Sequence, residues 1–316
     1  MNAFIFPGQG SQSVGMGREL AAAFSTAREL FEEVDETLRQ KLSRLMFEGP
    51  AEDLTLTENA QPALMAVSLA VVRVLERDAG IAVKDRALVV AGHSLGEFSA
   101  LAAAGSLTVP DAARLLRARG EAMQRAVPPG EGAMAALLGT DLDQANALCT
   151  AAQAGPEGNE VVAVANDNGG GQVVISGARE AVARAVALAR DHGVKRAMLL
   201  PVSAPFHCPL MEPAASALTD ALAKTDIAAP AVPIVANVTA AATRDPVEIR
   251  ALLVRQVTGL VRWRESVMTM LGMGADRFFE LGAGKVLSGL VRRIAPDAGI
   301  AAAGTPSEIE ALVKEL

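Results

Sequence analysis

The apolar run Ala87-Leu88-Val89-Val90-Ala91 passes directly into Gly92-His93-Ser94-Leu95-Gly96, and this junction limits the fold more than any other feature of the chain. An unbroken apolar run between charge and glycine describes a strand covered on both faces, as in a parallel sheet with helices on either side. The G-x-S-x-G segment that follows matches a strand-to-helix turn with a serine projecting from its tip. Its glycines have a steric reason. Strand and helix close so tightly that a Cβ two residues before or after the serine has little room. The next amide, that of Leu95, sits at a helix N-terminus and points toward developing negative charge. A serine N-cap flanked by chance glycines is the bland alternative. The strand before and the helix after favour the reactive turn.

The rest of the chain organises around this junction. Residues 3–6 read as a short strand, followed by the glycine-rich loop Pro7-Gly8-Gln9-Gly10-Ser11-Gln12 and a long helical region to about Arg44. A helix over 62–77 is apolar nearly all round, which predicts burial. Further helices are expected over 95–104 and 111–125. At Val127-Pro128-Pro129-Gly130 the pattern changes. Strand 133–138, helix 141–152, strands 161–165 and 172–176, helix 178–192 and strand 195–200 follow in order. That is the βαββαβ unit of ferredoxin-like domains, with Asn166-Asp167-Asn168-Gly169-Gly170-Gly171 as the turn between its central strands. After Pro201 helices and apolar strands resume, the clearest strands being 233–238 and 277–281. The expected fold is α/β: a large α/β-hydrolase-like domain with a parallel sheet, built from 1–127 and 202–316, plus an inserted small ferredoxin-like subdomain over 128–201.

Composition excludes several classes. The net charge of −7, the absence of Tyr and the single Trp give nucleic-acid binding no support. Cys149 and Cys208 form neither a metal-ligand spacing nor a disulfide framework, so no metal is expected. The start of the chain lacks the pattern of a signal peptide, and no apolar run approaches the roughly 20 residues of a membrane helix. A cytoplasmic protein without a membrane partner is expected.

A nucleophilic serine needs a base. Among the three histidines, His93 adjoins the serine and is expected to pack. His192, in Arg190-Asp191-His192-Gly193, reads as the last turn of a helix. His207 lies in the proline-punctuated loop 201–209, where catalytic groups often sit, and the residues alone leave its role open. Cys208 beside it has no helix N-terminus to lower its pKa and is expected to be structural. On helix 111–125, Arg119 shares the face of Ala112, Leu115, Leu116, Ala122 and Met123, whereas Arg117 and Glu121 are spaced as a surface ion pair. A core-facing arginine is costly unless paired. It either snorkels to solvent or offers its fork to an anion, most naturally a carboxylate. Gly120 beside it signals close approach of another segment.

These residues form one ordered series: Phe6-Pro7-Gly8-Gln9-Gly10-Ser11-Gln12, Gly92-His93-Ser94-Leu95-Gly96-Glu97, Arg119-Gly120, Pro201-Val202-Ser203 with His207, Val254-Arg255-Gln256, and Gly282-Ala283-Gly284-Lys285-Val286-Leu287. The series, which spans essentially the whole chain, resembles the malonyl-CoA:acyl carrier protein transacylases of bacterial fatty-acid synthesis. The resemblance implies that Ser94 is the acylated nucleophile and His207 its base. It implies that Gln9 and the Leu95 N–H form the oxyanion hole, that Arg119 binds the malonyl carboxylate, and that Gln256 orients His207 through its backbone carbonyl. It also implies a coenzyme A thioester substrate, an acyl carrier protein partner bearing phosphopantetheine, no cofactor of the enzyme's own, and a monomer. Two departures stand out. The loop 166–172 is richer in glycine than the usual family form, which suggests a more mobile loop. Phe206 precedes His207 where some members have serine; in related polyketide acyltransferases, phenylalanine at this place accompanies malonyl rather than methylmalonyl selection.

Other readings share parts of this pattern. An esterase or thioesterase shares the serine turn but adds an acidic residue and then histidine after the serine. A stand-alone acyltransferase of polyketide synthesis or of malonate decarboxylase would differ in its carrier protein. A nucleotide-binding module finds Gly8 and Gly10 but Ser13 in place of the third glycine, and Gly284-Lys285 lacks the rest of a phosphate-binding loop. Docking of an acidic carrier needs a local basic surface, for which Lys195, Arg196, Lys285, Arg292 and Arg293 are candidates.

Overall fold

A computed structural model describes residues 1–155, 158–202 and 204–316. Among the described residues, one sheet has six strands in the order Ala242–Thr243, Ile234–Val235, Ala87–Gly92, Asn2–Phe6, Arg277–Leu281, Gly299–Ala303. All neighbours are parallel except the first pair. Strand side chains alternate between faces, so Phe4, Phe6 and Val90 enter one core while Ala3, Ile5, Val89 and Ala91 enter the other. Both faces are covered, which explains the unbroken apolar run of the central strand. Among the described residues no helix is long and apolar enough to cross a membrane.

A second, antiparallel sheet has the order Val162–Gly169, Gln172–Ala178, Gly132–Leu138, Arg196–Leu199. The helices Leu142–Gln153 and Arg179–Leu188 supply its own apolar core, with Leu148, Cys149, Val182 and Ala185 against Leu137 and Ile175. The two sheets are joined at Val261, whose N–H donates to Ala165 O and whose carbonyl accepts from Asp167 N–H, and by the Arg264–Asp167 ion pair at 2.9 Å.

Several expected elements are corrected. The long helical region to about Arg44 resolves into three helices, Arg18–Ala23, Ser25–Leu38 and Leu42–Glu48. Phe24 is extended and Arg39 adopts a left-handed conformation at φ 51, and each ends a helical hydrogen-bond run. The buried helix begins at Thr57 and encloses Pro62 rather than starting there. The strand expected over 233–238 pairs only at Ile234–Val235, because the chain folds back through Ala240 at φ 52. The segment Asn166–Asn168 is strand, not turn. Two register shifts bend that strand, and the turn falls at Gly170 and Gly171. The glycines here allow close packing, since a Cβ on Gly169 or Gly170 would lie 2.6 Å from Ile294 or Arg293. His192 lies beyond the end of its helix, in a turn closed by Gly193 at φ 78.

Candidate active site

Ser94 stands at the tip of the turn between strand Ala87–Gly92 and helix Gly96–Ala103, with φ 53. A left-handed conformation costs a non-glycine residue about 1–2 kcal/mol, so something must hold it. A Cβ on Gly92 would lie 1.9 Å from Gly96 C, and one on Gly96 would lie 2.3 Å from Phe6 O. These glycines are the only residues the closed turn admits. The turn is also clamped by side chains. Ser94 N–H donates to Asn237 Oδ1 at 2.7 Å, Asn237 Nδ2 donates to Gly92 O at 2.7 Å, and Gln256 Nε2 donates to Ser94 O at 3.0 Å.

His207 arrives from the loop after the antiparallel sheet, also left-handed at φ 58. Its Nε2 is 2.8 Å from Ser94 Oγ, and its Nδ1 is 2.8 Å from Gln256 O. A carbonyl oxygen can only accept, so Nδ1 carries the proton and Nε2 offers a lone pair to the serine. Burial first, and then the Arg119 charge, hold the imidazole pKa down at about 3. The neutral imidazole is therefore the resting form at neutral pH.

Arg119 does not snorkel. It is 1% exposed, on the buried face of helix Val109–Ala126 with Leu115, Leu116, Ala122 and Met123. Its Nη1 donates to Gln61 Oε1 at 2.6 Å, and its Nη2 to Gln256 Oε1 at 2.9 Å and to Ser94 Oγ at 3.1 Å. Burial lowers its pKa to about 10 against the opposing pull of Glu97. The cation stays charged at neutral pH, and its Nε has no hydrogen-bond partner among the described residues. Gly120 has the expected close neighbour, as a Cβ there would meet Glu58 Cα at 2.6 Å. The surface pair expected between Arg117 and Glu121 is corrected. Arg117 bonds to Gln40, and Glu121 lies within ion-pair distance of Arg125 at 3.7 Å instead, although its charge still acts on Arg117.

These groups open into one cavity of about 580 Å³, walled on one side by the serine turn and on the other by Met134, Asn168 and Val174 of the antiparallel sheet. Gln9, Phe206 and Leu287 also line it. Gln9 is anchored through its Oε1, which accepts from Thr57 Oγ1 at 2.9 Å. The Leu95 N–H, at the start of helix Gly96–Ala103, bonds to no described residue and is free to donate. His93 lines the same cavity but makes no hydrogen bond to Ser94 or His207. Its ring lies 5.7 Å from that of Trp263, and its Nε2 is 2.9 Å from Asn168 Oδ1. Cys208 is buried, with its thiol on Pro205 O and its pKa raised by burial. Ser203 lies outside the described residues. Among the described residues no group of His, Cys, Asp or Glu is placed to hold a metal ion.

Three polar residues of the site escaped the sequence reading. Gln61 sits in the first turns of a helix expected to begin one residue later. Asn237 occupies a segment expected to be strand. Glu97, in the first turn of its helix, looks from sequence like an acid complementing the helix dipole. Instead it is 2% exposed beneath the serine, and burial raises its carboxyl pKa to about 7.

Comparison with known proteins places this geometry. Residues 3–297 match the family model of the acyl transferase domain. The malonyl CoA-acyl carrier protein transacylase of Bacillus subtilis is 46% identical over 99% of this chain and 96% of its own length. The protein of that name from Escherichia coli is 45% identical over 99% of this chain and 98% of its own. The crystal structure of acyl-carrier-protein-S-malonyltransferase from Bartonella henselae superposes with a TM-score of 0.95 at 54% identity, covering 99% of this chain and 98% of that one. The malonyl-transacylase PlMCAT, solved with the type II PKS acyl-carrier protein AntF, gives a TM-score of 0.95 at 39% identity over 100% and 99% of the two chains.

Proposed function

This chain belongs to the malonyl-CoA:acyl carrier protein transacylase family, and from that premise we propose that it acts through a malonyl ester on Ser94. The enzyme is an acyl-carrier-protein S-malonyltransferase, moving malonyl groups from coenzyme A to the phosphopantetheine thiol of a carrier protein. One observation carries the mechanism: Ser94 Oγ lies 2.8 Å from a neutral imidazole and 3.1 Å from a buried guanidinium. A nucleophile set between a base and a cation suits an acyl group that ends in an anion.

In the first half-reaction His207 Nε2 takes the Ser94 proton as Oγ attacks the thioester carbonyl. The tetrahedral oxyanion is received by the Leu95 N–H and by Gln9. The C–S bond then breaks, and the imidazolium returns the proton to the coenzyme A thiolate. In the second half-reaction the carrier's thiol enters, loses its proton to His207 and attacks the malonyl ester, which restores Ser94. The Gln256 carbonyl holds the imidazole in the required tautomer throughout, so a Ser–His dyad suffices. Arg119 takes the free malonyl carboxylate. With acetyl-CoA that carboxylate is missing, and the buried guanidinium gains nothing from the acyl group.

We read the two sheets as a hydrolase-like large domain over 1–127 and 202–316 and a ferredoxin-like insert over 128–201. The strand order of the antiparallel sheet, second-third-first-fourth along the chain, supports that reading. The carrier protein is taken to approach across helix Val286–Ile294, whose Leu287 and Leu290 line the cavity and whose last turn bears Arg292 and Arg293. Of the other basic candidates, Lys285 is already paired with Glu308. A cytoplasmic monomer with no cofactor of its own completes the proposal.

Transfer of radiolabelled malonyl from coenzyme A to holo carrier protein, through an isolable malonyl-enzyme, tests the function. Release of free malonate with no need for an acceptor would instead mark a thioesterase. A second measurement tests the base. Nitrogen NMR of the imidazoles shows His207 as a neutral Nδ1–H tautomer from about pH 5 to about pH 8. The sign follows from the depressed pKa: protonation is displaced to acid, toward about 3. A His207 signal titrating near the ordinary value of 6.5 would contradict the neutral-base assignment.

A further inference from the structure

The dyad and Arg119 leave one buried ionisable group beneath the site without a role. Glu97 Oε2 accepts from Gln256 Nε2 at 2.8 Å and from Asn237 N–H at 3.1 Å. Both partners grip the serine turn, Asn237 at Ser94 N–H and Gly92 O, Gln256 at Ser94 O. Gln256 does more. Its backbone carbonyl aligns His207, and its side-chain oxygen receives Arg119 Nη2. That amide has two unlike ends and can exchange them by half a turn about its last bond. Exchanged, it would set an NH2 group against the guanidinium, donor facing donor, and Arg119 would lose one of the two amide oxygens that aim it. What opposes the exchange is acceptors at the nitrogen end, and of the three there, Glu97 Oε2 at 2.8 Å, Ser94 O at 3.0 Å and Asn237 Oδ1 at 3.4 Å, Glu97 makes the shortest bond.

We propose that Glu97 is a positioning residue of the transfer reaction, whose acceptor oxygen sets the orientation of the Gln256 amide and thereby aims Arg119 at the acyl carboxylate. This rests on the functional reading above. The role belongs to the oxygen and its reach, not to negative charge. Burial favours the neutral carboxyl, opposed by the Gln256 and Asn237 hydrogen bonds and by Arg119, the one charged group acting on it. An oxygen that accepts from N–H groups does so in either protonation state.

Two substitutions separate reach from charge. Glu97→Gln keeps length and an acceptor but carries no charge. Glu97→Asp keeps the charge and falls one methylene short. The measurement is kcat/KM for malonyl-CoA and for acetyl-CoA in each variant, with folding checked by thermal melting. In Glu97→Asp the malonyl-to-acetyl ratio falls by about tenfold or more, and Glu97→Gln restores it to within about threefold of wild type. Glu97→Met, of matched length with only a weakly accepting thioether in place of the oxygen, gives the Asp result should Glu97→Asp not fold. The proposal is overturned if Asp preserves the ratio and Gln loses it, or if malonyl and acetyl transfer fall together, as a purely structural role predicts. Malonylation of wild-type Ser94, measured beforehand, tests the functional reading separately. An enzyme that acylates normally but whose ratio is unmoved in Asp and Met refutes the Glu97 role alone.

Discussion

Ser94→Ala is expected to remain folded, to show no malonyl adduct by intact-protein mass spectrometry, and to lose transfer activity by about 10⁴-fold or more. The fold should survive because alanine meets the same left-handed backbone penalty that serine already bears at φ 53. The clamps on the turn are to the backbone N–H and carbonyl of residue 94, which alanine retains. What is lost is the oxygen shared by His207 Nε2 and Arg119 Nη2. Without it there is no group to form the ester, and the residual rate reflects only binding and the oxyanion donors. An undiminished adduct in Ser94→Ala would move the nucleophile elsewhere, with Cys208 the nearest thiol to consider. Its burial and raised pKa argue against that.

The second large effect is one of selectivity. Arg119→Ala should lower kcat/KM for malonyl-CoA by about 10²–10³-fold, since losing one partner of a buried charge pair costs about 3–5 kcal/mol. Acetyl transfer should fall far less, because that substrate offers the guanidinium no anion. The ratio of the two is the decisive number. An equal fall in both would make Arg119 a structural strut between Gln61 and Gln256. Arg119→Lys should not restore the ratio. A single ammonium cannot meet Gln61, Gln256 and a carboxylate with the geometry of a planar fork. Stability should also drop, because Gln61 Oε1 and Gln256 Oε1 both lose a donor in the interior.

Particular residues show why some of this was legible and some not. The serine turn could be read because its determinants are contiguous: a strand, two glycines with no room for a Cβ, and a helix. Arg119 could be read because helical periodicity places it among leucines and alanines. The bends of strand Val162–Gly169 could not be read, because its polar residues Asn166, Asp167 and Asn168 look like a turn until Val261, Arg264 and His93 supply their partners. Gln61 was obscured by Pro62, whose preference for the first helical turn drew the expected start past it. The helix starts at Thr57, where the early turns against helix Val109–Ala126 are packed too closely for any side chain on Gly120.

The sequence by itself therefore determined the serine turn, the order of the elements and the anomaly of a core-facing arginine, since each is encoded within a few residues or one helical period. Only the tertiary structure decided what surrounds them. His207, Gln256, Asn237 and Gln61 reach the serine turn and Arg119 from separate segments, and a buried polar side chain acquires its role from the partner that satisfies it. Glu97 is the sharpest case. Its place in the first turn of a helix suggests an exposed acid favoured by the dipole, yet the packing of Asn237 and Gln256 over it encloses it. There its chemistry is set by burial and by two hydrogen bonds from chain segments remote in sequence.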